Sequence, residues 1–365
     1  MKILHLDTGR DWRGGQGQAW LLMLGLRERG VEARLLAPRG PLSERAAQAG
    51  FAPRAWNPRG DLDLAAMAAL TAELRRAPPD LVHAHSARAH ATGAPAAWAA
   101  GRLPFVVSRR VDFRVAAHAA SRWKYRLPVD RYLCISRPVM EVMRAGGVDP
   151  ARLALVPSGI DFATLELEAA PGRDLRAWLG IPAGAPVLGT VAALAPHKDH
   201  ATLLAAAPAI LAAAPEAHFV WLGEGECRAA LETARAARRL EARVHMPGSQ
   251  PDARALLRQF TLFVLSSHLE GLCTSLLDAQ ALGVPIVATR AGGIPDVVED
   301  GVTGRLAPPS NPAALAAAVT AALADPPERA RWAHAARTSV RAFSAERMVE
   351  RTLETYRAVL GGPRG

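Results

Sequence analysis

The sequence predicts a two-domain α/β protein, and three observations lead there. Its 365 residues exceed what one ordinary core encloses. Short apolar runs recur along it, each ending on polar or Gly-rich residues and leading into a helical stretch. Half of the residues are apolar, many of them Ala and Leu, with only 5% aromatic, a composition that suits a helix-rich soluble α/β chain.

Taken in order, Lys2–Asp7 reads as a first strand, followed by a loop and a helix to about Glu28 that Gly30 closes. Val31–Ala37 is the next strand. Gly14 and Gly15 stand before the helix start, where backbone N–H groups can approach a diphosphate; the alternative is a flexible turn. The dinucleotide fingerprint is not met, because Trp20 occupies its last position. Asp61-Leu62-Asp63 spells a metal-binding D-x-D, but it directly precedes an amphipathic stretch, Leu64 to Arg75, where Asp is the ordinary cap. Asp80–Ser86 and Phe105–Asp112 are buried strands with polar tips, where α/β proteins gather ligands. His85 at the first tip is a cleft candidate, and His83 reads as packed. Arg109 and Arg110 at the second tip read as an arginine-lined site or as two solvated charges.

Tyr132–Ser136 is a further strand, and Arg137–Ala145 a helix stopped by Gly146-Gly147. Leu153–Asp161 hands over to an irregular linker that reaches about Pro186. The second domain then opens on the strand Val187–Val191 and the loop bearing Lys198. His218–Gly223 is its next strand, Val244–Gly248 a strand and bend, Phe260–Ser267 leads into the stretch described below, and Ala345–Leu360 is a terminal helix.

Composition excludes several classes. No apolar run is long enough to span a bilayer: Ala201–Pro215, the best candidate, contains Pro208 and closes at Pro215. The first seven residues turn polar too soon for a signal peptide. Three scattered cysteines, Cys134, Cys227 and Cys273, argue against disulfides and structural zinc and for a reducing compartment, so the expected location is cytoplasmic. The net charge of +10 comes almost wholly from Arg, since Lys2, Lys124 and Lys198 are the only lysines. No nucleic-acid-binding motif accompanies it, and no nucleic acid is expected as partner. Between Arg102 and Arg131, eight basic residues face two Asp, with Trp123 and Tyr125 interleaved. That region suits an anionic membrane surface, or is simply a solvated basic helix.

The stretch that carries chemistry runs from Ser266 to Arg305, SSHLEGLCTSLLDAQALGVPIVATRAGGIPDVVEDGVTGR. Glu270 and the tight turn at Gly271 precede a helix opening at Thr274-Ser275, and Asp278 follows on that helix. Orphan N–H groups and the positive dipole end favour a phosphate there, while a carboxylate beside them suits sugar hydroxyls. Ser275-x-x-Asp278 also has capping-box spacing. Pro285–Ala288 is a short apolar run, Ala291-Gly292-Gly293 a bend, and Pro295 the start of another helix. Some forty residues in this order resemble the donor-site signature of GT-B retaining glycosyltransferases, and within them glycosyltransferase family 4 with its E-x7-E motif, the second Glu being Asp278 here.

That resemblance implies two Rossmann-like α/β/α domains facing each other across a cleft: 1–165 for the acceptor, 166–344 for the nucleotide-sugar donor, and 345–365 as a helix crossing back. It implies transfer of a sugar from a nucleotide-diphosphate sugar to a glycan or lipid-linked acceptor with retention, in cell-envelope or related glycan synthesis, without a metal or other cofactor. Lys198 matches the family's phosphate-loop Lys, whereas Ala193 stands where an Arg is usual. Glu270 would meet the donor sugar and Asp278 the ribose. The main chain of Gly271, Leu272, Cys273 and Thr274 would meet sugar and phosphates, with Gly248 near the base and Gly14-Gly15 near the diphosphate. Ser108-Arg109-Arg110 replaces a His that many members carry, which leaves Arg110 or Arg13 as a candidate for the missing charge and Arg109, with His85, on the acceptor side. Two rival readings are a non-hydrolysing nucleotide-sugar 2-epimerase of the same fold, for which Asp112 is a poor base, and a non-catalytic basic adaptor on membrane or glycan.

Overall fold

The structure is a computed structural model, and it describes residues 1–111 and 124–362. Asp112 and the Ser121–Trp123 part of the basic region lie outside the described residues. The chain divides into two compact units, one from Met1 to Gly159 together with the segment from Ala345, the other from Ile160 to Ser344.

The first unit contains a seven-stranded parallel sheet of order β3-β2-β1-β4-β5-β6-β7. Its strands are β1 (Lys2–Leu6), β2 (Glu32–Ala37), β3 (Arg54–Ala55), β4 (Leu81–Ala84), β5 (Phe105–Arg109), β6 (Arg131–Cys134) and β7 (Leu153–Leu155). β4 is buried throughout, and β1, β5 and β6 over most of their length, as parallel strands covered by helices require. Helix α1 (Gly14–Glu28) packs Leu22 and Leu26 against Ile3, Val106 and the terminal helix Ala345–Gly361, which contributes Met348, Val349, Leu353 and Tyr356. Each such aliphatic side chain, fully buried, stabilises by about 1.5–3 kcal/mol. Gln18 ties this layer to the end of the unit, donating from Nε2 to the Gly159 carbonyl at 2.8 Å and accepting from the Gly159 N–H at 2.7 Å.

The second unit repeats the pattern with six parallel strands of order β10-β9-β8-β11-β12-β13. These are β8 (Val187–Val191), β9 (His218–Leu222), β10 (Val244–Gly248), β11 (Leu262–Leu265), β12 (Ile286–Thr289) and β13 (Arg305–Ala307). Both sheets are Rossmann-like, and each has its topological switch beside its first strand, between β1 and β4 and between β8 and β11. Ligands bind outside the carboxyl ends of the strands at such a point.

Several readings are corrected. Gly14 and Gly15 are the first residues of α1, not a loop before it; Arg13 precedes them in extended conformation without a side-chain cap. The stretch read as an irregular linker contains two short helices, Phe162–Glu168 and Leu175–Leu179, each started by an Asp that accepts first-turn N–H groups. Pro295 begins one 3₁₀ turn, Ile294–Asp296, and no longer helix. Asp63 is the cap its position suggested, accepting the Ala66 N–H at 3.0 Å, while Asp61 pairs with Lys124 at 2.6 Å.

Two glycines of the second sheet are required by close approach. A Cβ on Gly223 would sit 1.9 Å from the Ala192 carbonyl oxygen, and one on Gly225 would sit 2.4 Å from that of Leu194. Both contacts press on the loop that carries Lys198. Gly223→Ala is expected to destabilise the chain by about 1–3 kcal/mol, the usual cost of forced overpacking. An unchanged urea midpoint would refute that account of the loop.

Candidate active site

In the second unit, the loops leaving β8 and β11 meet at the switch point. After Val191 the chain runs through Ala192 and Ala193 into a 3₁₀ turn, Pro196–Lys198, that ends at Asp199 with φ 48°. Asp199 caps the helix His200–Ala213, accepting the Thr202 N–H at 3.1 Å and its hydroxyl at 2.7 Å. The Ser266 hydroxyl donates to the Lys198 carbonyl at 3.1 Å, and the His268 N–H donates to that of His197 at 3.0 Å. These bonds join the two loops, and the Lys198 ammonium forms an ion pair with the Glu270 carboxylate, both side chains only about a tenth exposed. The sequence singled out both residues; the structure brings them together.

Glu270 is held from behind as well. The Gly293 N–H donates to the Glu270 carbonyl at 2.7 Å, and the Thr289 hydroxyl donates to the Ser267 carbonyl at 2.5 Å. Gly271, Leu272 and Cys273 are buried, and helix Thr274–Ala281 starts immediately after them. Cys273 is its cap residue, without a side-chain cap bond to the first turn, and its sulfur lies 3.1 Å from the Ser275 hydroxyl. Burial pushes the Cys273 thiol up, so a thiolate nucleophile is disfavoured. Gly248 has φ 86° at the end of β10, accepts the Gly223 N–H through its carbonyl at 3.0 Å, and lies against Glu224.

The capping-box reading of Ser275 and Asp278 does not hold. Asp278 sits one turn inside the helix and caps nothing. Its carboxylate takes a fork from Arg254, Nε at 3.2 Å to one oxygen and Nη2 at 3.4 Å to the other. Arg254 also pairs with Glu168 at 2.6 Å. Burial raises the Asp278 carboxyl, and Arg254 opposes that shift. Sequence reasoning missed Arg254, which lies 24 positions from its partner on another element. No local pattern signals such a pair.

In the first unit the corresponding loops leave β1 and β4. Asp7 follows β1, fully buried, accepting the Gly9 N–H at 2.5 Å and the Gln16 side-chain amide at 3.1 Å on one oxygen. Thr8 bonds the Ser86 hydroxyl through its N–H at 3.1 Å and its own hydroxyl at 2.7 Å. Burial raises the Asp7 carboxyl, and the hydrogen bonds and nearby Arg110 oppose this. Burial lowers Arg110 to about 10, against the pull of Asp7 and Tyr356, and it stays charged at neutral pH. A Cβ on Gly15 would lie 3.6 Å from the Arg110 side chain, which sets Arg110 beside the start of α1. Gly14, Gly15 and Arg110 are therefore neighbours, as the sequence could not show.

His85 is buried just beyond β4, with Nε2 2.9 Å from Nδ1 of His5. His83 is packed, its two ring nitrogens 2.6 Å from the Tyr356 hydroxyl and 2.9 Å from the Ser108 hydroxyl. These three histidines are the metal-sized cluster among the described residues, with one ligand atom from each within 4.8 Å of the others. Their hydrogen bonds account for most of those nitrogens without a metal. Arg109 ends β5 and lies 5.8 Å from the Tyr125 ring.

The chain is similar to known proteins. The family profile described as "Glycosyltransferase Family 4" matches residues 12–164, and that described as "Glycosyl transferases group 1" matches residues 173–339. The chain belongs to glycosyltransferase family 4. A "D-inositol 3-phosphate glycosyltransferase" of Kineococcus radiotolerans is 32% identical over 298 residues, 76% of this chain and 66% of that protein. The protein of the same description from Mycobacterium tuberculosis is 32% identical over 234 residues, 60% of this chain and 47% of its own length. This family 4 chain thus spans about half to two-thirds of the length of these curated relatives. Its fold is that of solved GT-B structures. A glycosyltransferase from Rickettsia africae superposes with a TM-score of 0.86 at 16% identity, covering 99% of both chains. The Anabaena protein HepE, solved with UDP and glucose, gives 0.84 at 21% identity, covering 97% of this chain and 99% of that one.

Proposed function

We propose that this chain transfers a sugar from a nucleoside-diphosphate sugar to a glycan or lipid-linked acceptor, with retention of configuration and without a metal. The observation that carries the reading is the Lys198–Glu270 pair at the β8/β11 switch point, directly before the helix that starts at Thr274. Lys198 offers three N–H donors and Glu270 only acceptors. With a donor bound, the ammonium serves the diphosphate while the carboxylate accepts from sugar hydroxyls. As the sugar–phosphate bond breaks, charge develops on the leaving diphosphate, and Lys198 with the orphan N–H groups at Thr274 offsets it. The family match and the UDP in the HepE structure support a nucleotide-sugar donor. Asp278, held by Arg254, is the residue we assign to the ribose, though one methylene shorter than the family's Glu.

A front-face displacement fits the residues present: Cys273 is disfavoured as a thiolate, and the leaving diphosphate can accept the acceptor's proton. The acceptor and an envelope role, with the chain cytoplasmic or peripheral on an inner membrane face, belong to the same proposal. Among the described residues no helix is long and apolar enough to cross a membrane. Of the proposed membrane-facing region, Arg114, Arg122 and Trp123 lie outside the described residues.

Thermal unfolding with UDP, GDP, ADP and NAD, with and without EDTA, tests the donor site. One nucleoside diphosphate at a hundred times its Kd is expected to add about 2.7 kcal/mol of apparent stability. That gain should survive EDTA and vanish in Lys198→Ala. No response to any diphosphate would overturn the reading and favour the non-catalytic adaptor.

A further inference from the structure

Resting on the transferase reading and its assignment of Asp278 to the ribose, we propose that Arg254 is the positioning residue of that contact. It aims the Asp278 carboxylate at the ribose hydroxyls, and Glu168 steadies Arg254, so that the three groups select a ribonucleotide donor over a deoxyribonucleotide one. The observation is a carboxylate–guanidinium–carboxylate row drawn from three elements. Glu168 is the last residue of the helix Phe162–Glu168, Arg254 lies in the helix Ala253–Leu257, and Asp278 in the helix Thr274–Ala281. Arg254 donates from Nη1 to Glu168 at 2.6 Å, and from Nε and Nη2 to Asp278 at 3.2 and 3.4 Å.

Three features separate this row from an ordinary surface salt bridge. The Asp278 side chain is only 13% exposed, and a charge held that far from water is costly unless it is paired. Asp is also a poor residue for a helix interior, so the helix itself gains little from it. The fork from Arg254 engages each carboxylate oxygen once, which leaves each a second lone pair. Two adjacent acceptors of that kind suit the vicinal hydroxyls of a ribose. Being one methylene shorter than a Glu, Asp278 reaches less far and depends more on the group that orients it. Finally, burial raises the Asp278 carboxyl, Arg254 opposes the shift, and Glu168 adds to it. Those two are the charged groups acting on Asp278 from the neighbouring helices; Arg258 pairs with Glu166 instead. A protonated Asp278 would turn one of its acceptors into a donor, so Arg254 preserves the chemistry of the contact as well as its direction.

The test uses the full chain and whichever of UDP, GDP and ADP stabilises it, together with the 2′-deoxy and 3′-deoxy forms of that nucleotide. Isothermal titration calorimetry reads the affinities. The unsubstituted chain is expected to prefer the ribose form at least about tenfold over each deoxy form, the scale of a hydrogen bond to a charged group. Arg254→Gln is expected to lose about tenfold for the ribose form and little for the deoxy forms, so the preference collapses. Undiminished binding of the deoxy forms reports that the variant is folded. Arg254→Lys should restore part of the preference, and Glu168→Gln should weaken it by no more than about fivefold, because that pair is half solvated. Since Arg254 acts through Asp278, Arg254→Gln should cost nothing further in an Asp278→Asn background. That double variant also removes the stranded carboxylate where Arg254→Gln alone folds poorly. On acidification from pH 7.5 to 5.5, the preference should fade at a higher pH in Arg254→Gln than in the unsubstituted chain, and Arg254→Lys should reverse this. Equal losses for ribose and deoxy forms in Arg254→Gln, or a full further loss in the Asp278→Asn background, overturn the proposal. Equal affinity of the unsubstituted chain for ribose and deoxy forms overturns it too and leaves the donor reading intact. Absence of binding by every diphosphate removes the transferase reading itself.

Discussion

Lys198→Ala is expected to lower kcat by about 10²–10³-fold, the range found when one fixed donor to a developing negative charge is removed. Ala193 stands where the family resemblance expects a second cation. A second effect accompanies the first. Lys198 and Glu270 are each about a tenth exposed, so deleting the cation leaves a nearly buried carboxylate without its countercharge, at a cost of about 3–5 kcal/mol. Adding Glu270→Gln to Lys198→Ala removes that stranded charge. The double variant should therefore regain much of the stability and none of the turnover. The two readouts separate folding from chemistry: a urea midpoint for the first, and initial rates with saturating donor for the second. A double variant that recovers activity along with stability would show Lys198 to be a structural partner of Glu270 and nothing more.

The second large effect is acid sensitivity. His5, His83, His85, His90 and His200 are all 5% exposed or less. Burial lowers His5 and His90 to about 3 and His200 to about 4, and lowers His83 and His85 as well. In the unfolded chain each binds a proton near pH 6.5. Between that pH and their folded values the unfolded state holds protons that the folded state refuses, so stability is full above about pH 6.5 and falls as pH drops. Each such histidine contributes about 1.4 kcal/mol per pH unit. Asp7 and Asp278 oppose this, because burial raises their folded values and the folded state gains protons first. With five groups against two the histidines prevail. Two to three units of acidification would remove an amount comparable to the whole stability of about 5–15 kcal/mol. Urea midpoints at pH 7.5, 6.5 and 5.5 should decline steeply. His200 gives the sharpest check: its ring lies 5.2 Å from Trp221 and neither nitrogen has a partner. His200→Leu should raise the midpoint at pH 5.5 and flatten the slope. A midpoint that stays constant from pH 7.5 to 5.5 would refute neutral burial of these rings.

What the sequence alone determined is the part of the protein with short-range grammar. Val187–Val191 was legible as a strand to the residue, Val244–Gly248 as a strand and bend, and Arg137–Ala145 as a helix. Apolar runs bounded by Pro, Gly and Asp leave few alternatives over five to ten residues. The Ser266–Arg305 stretch was legible for the same reason, since turn, helix start and carboxylate follow one another within one strand–turn–helix unit. Where the sequence erred, the local rule was ambiguous. Ser275 and Asp278 have capping-box spacing, but the helix begins at Thr274, and Asp278 is drawn to Arg254.

Tertiary structure decided everything that depends on groups far apart in the chain. Lys198 and Glu270 lie 72 positions apart, and they pair because the adjacent parallel strands β8 and β11 bring both loops to the carboxyl end of the sheet. His83 and Tyr356 are 273 positions apart, joined because the terminal helix packs on the first sheet. The cavity that Arg109, Arg110, Lys124 and His90 line draws on three elements, so the sequence shows the basic run but not that these residues border one cavity. A basic run looks the same in one dimension whether its side chains are solvated or turned inward. Burial and partner geometry distinguish the two, and both arise only when the chain folds.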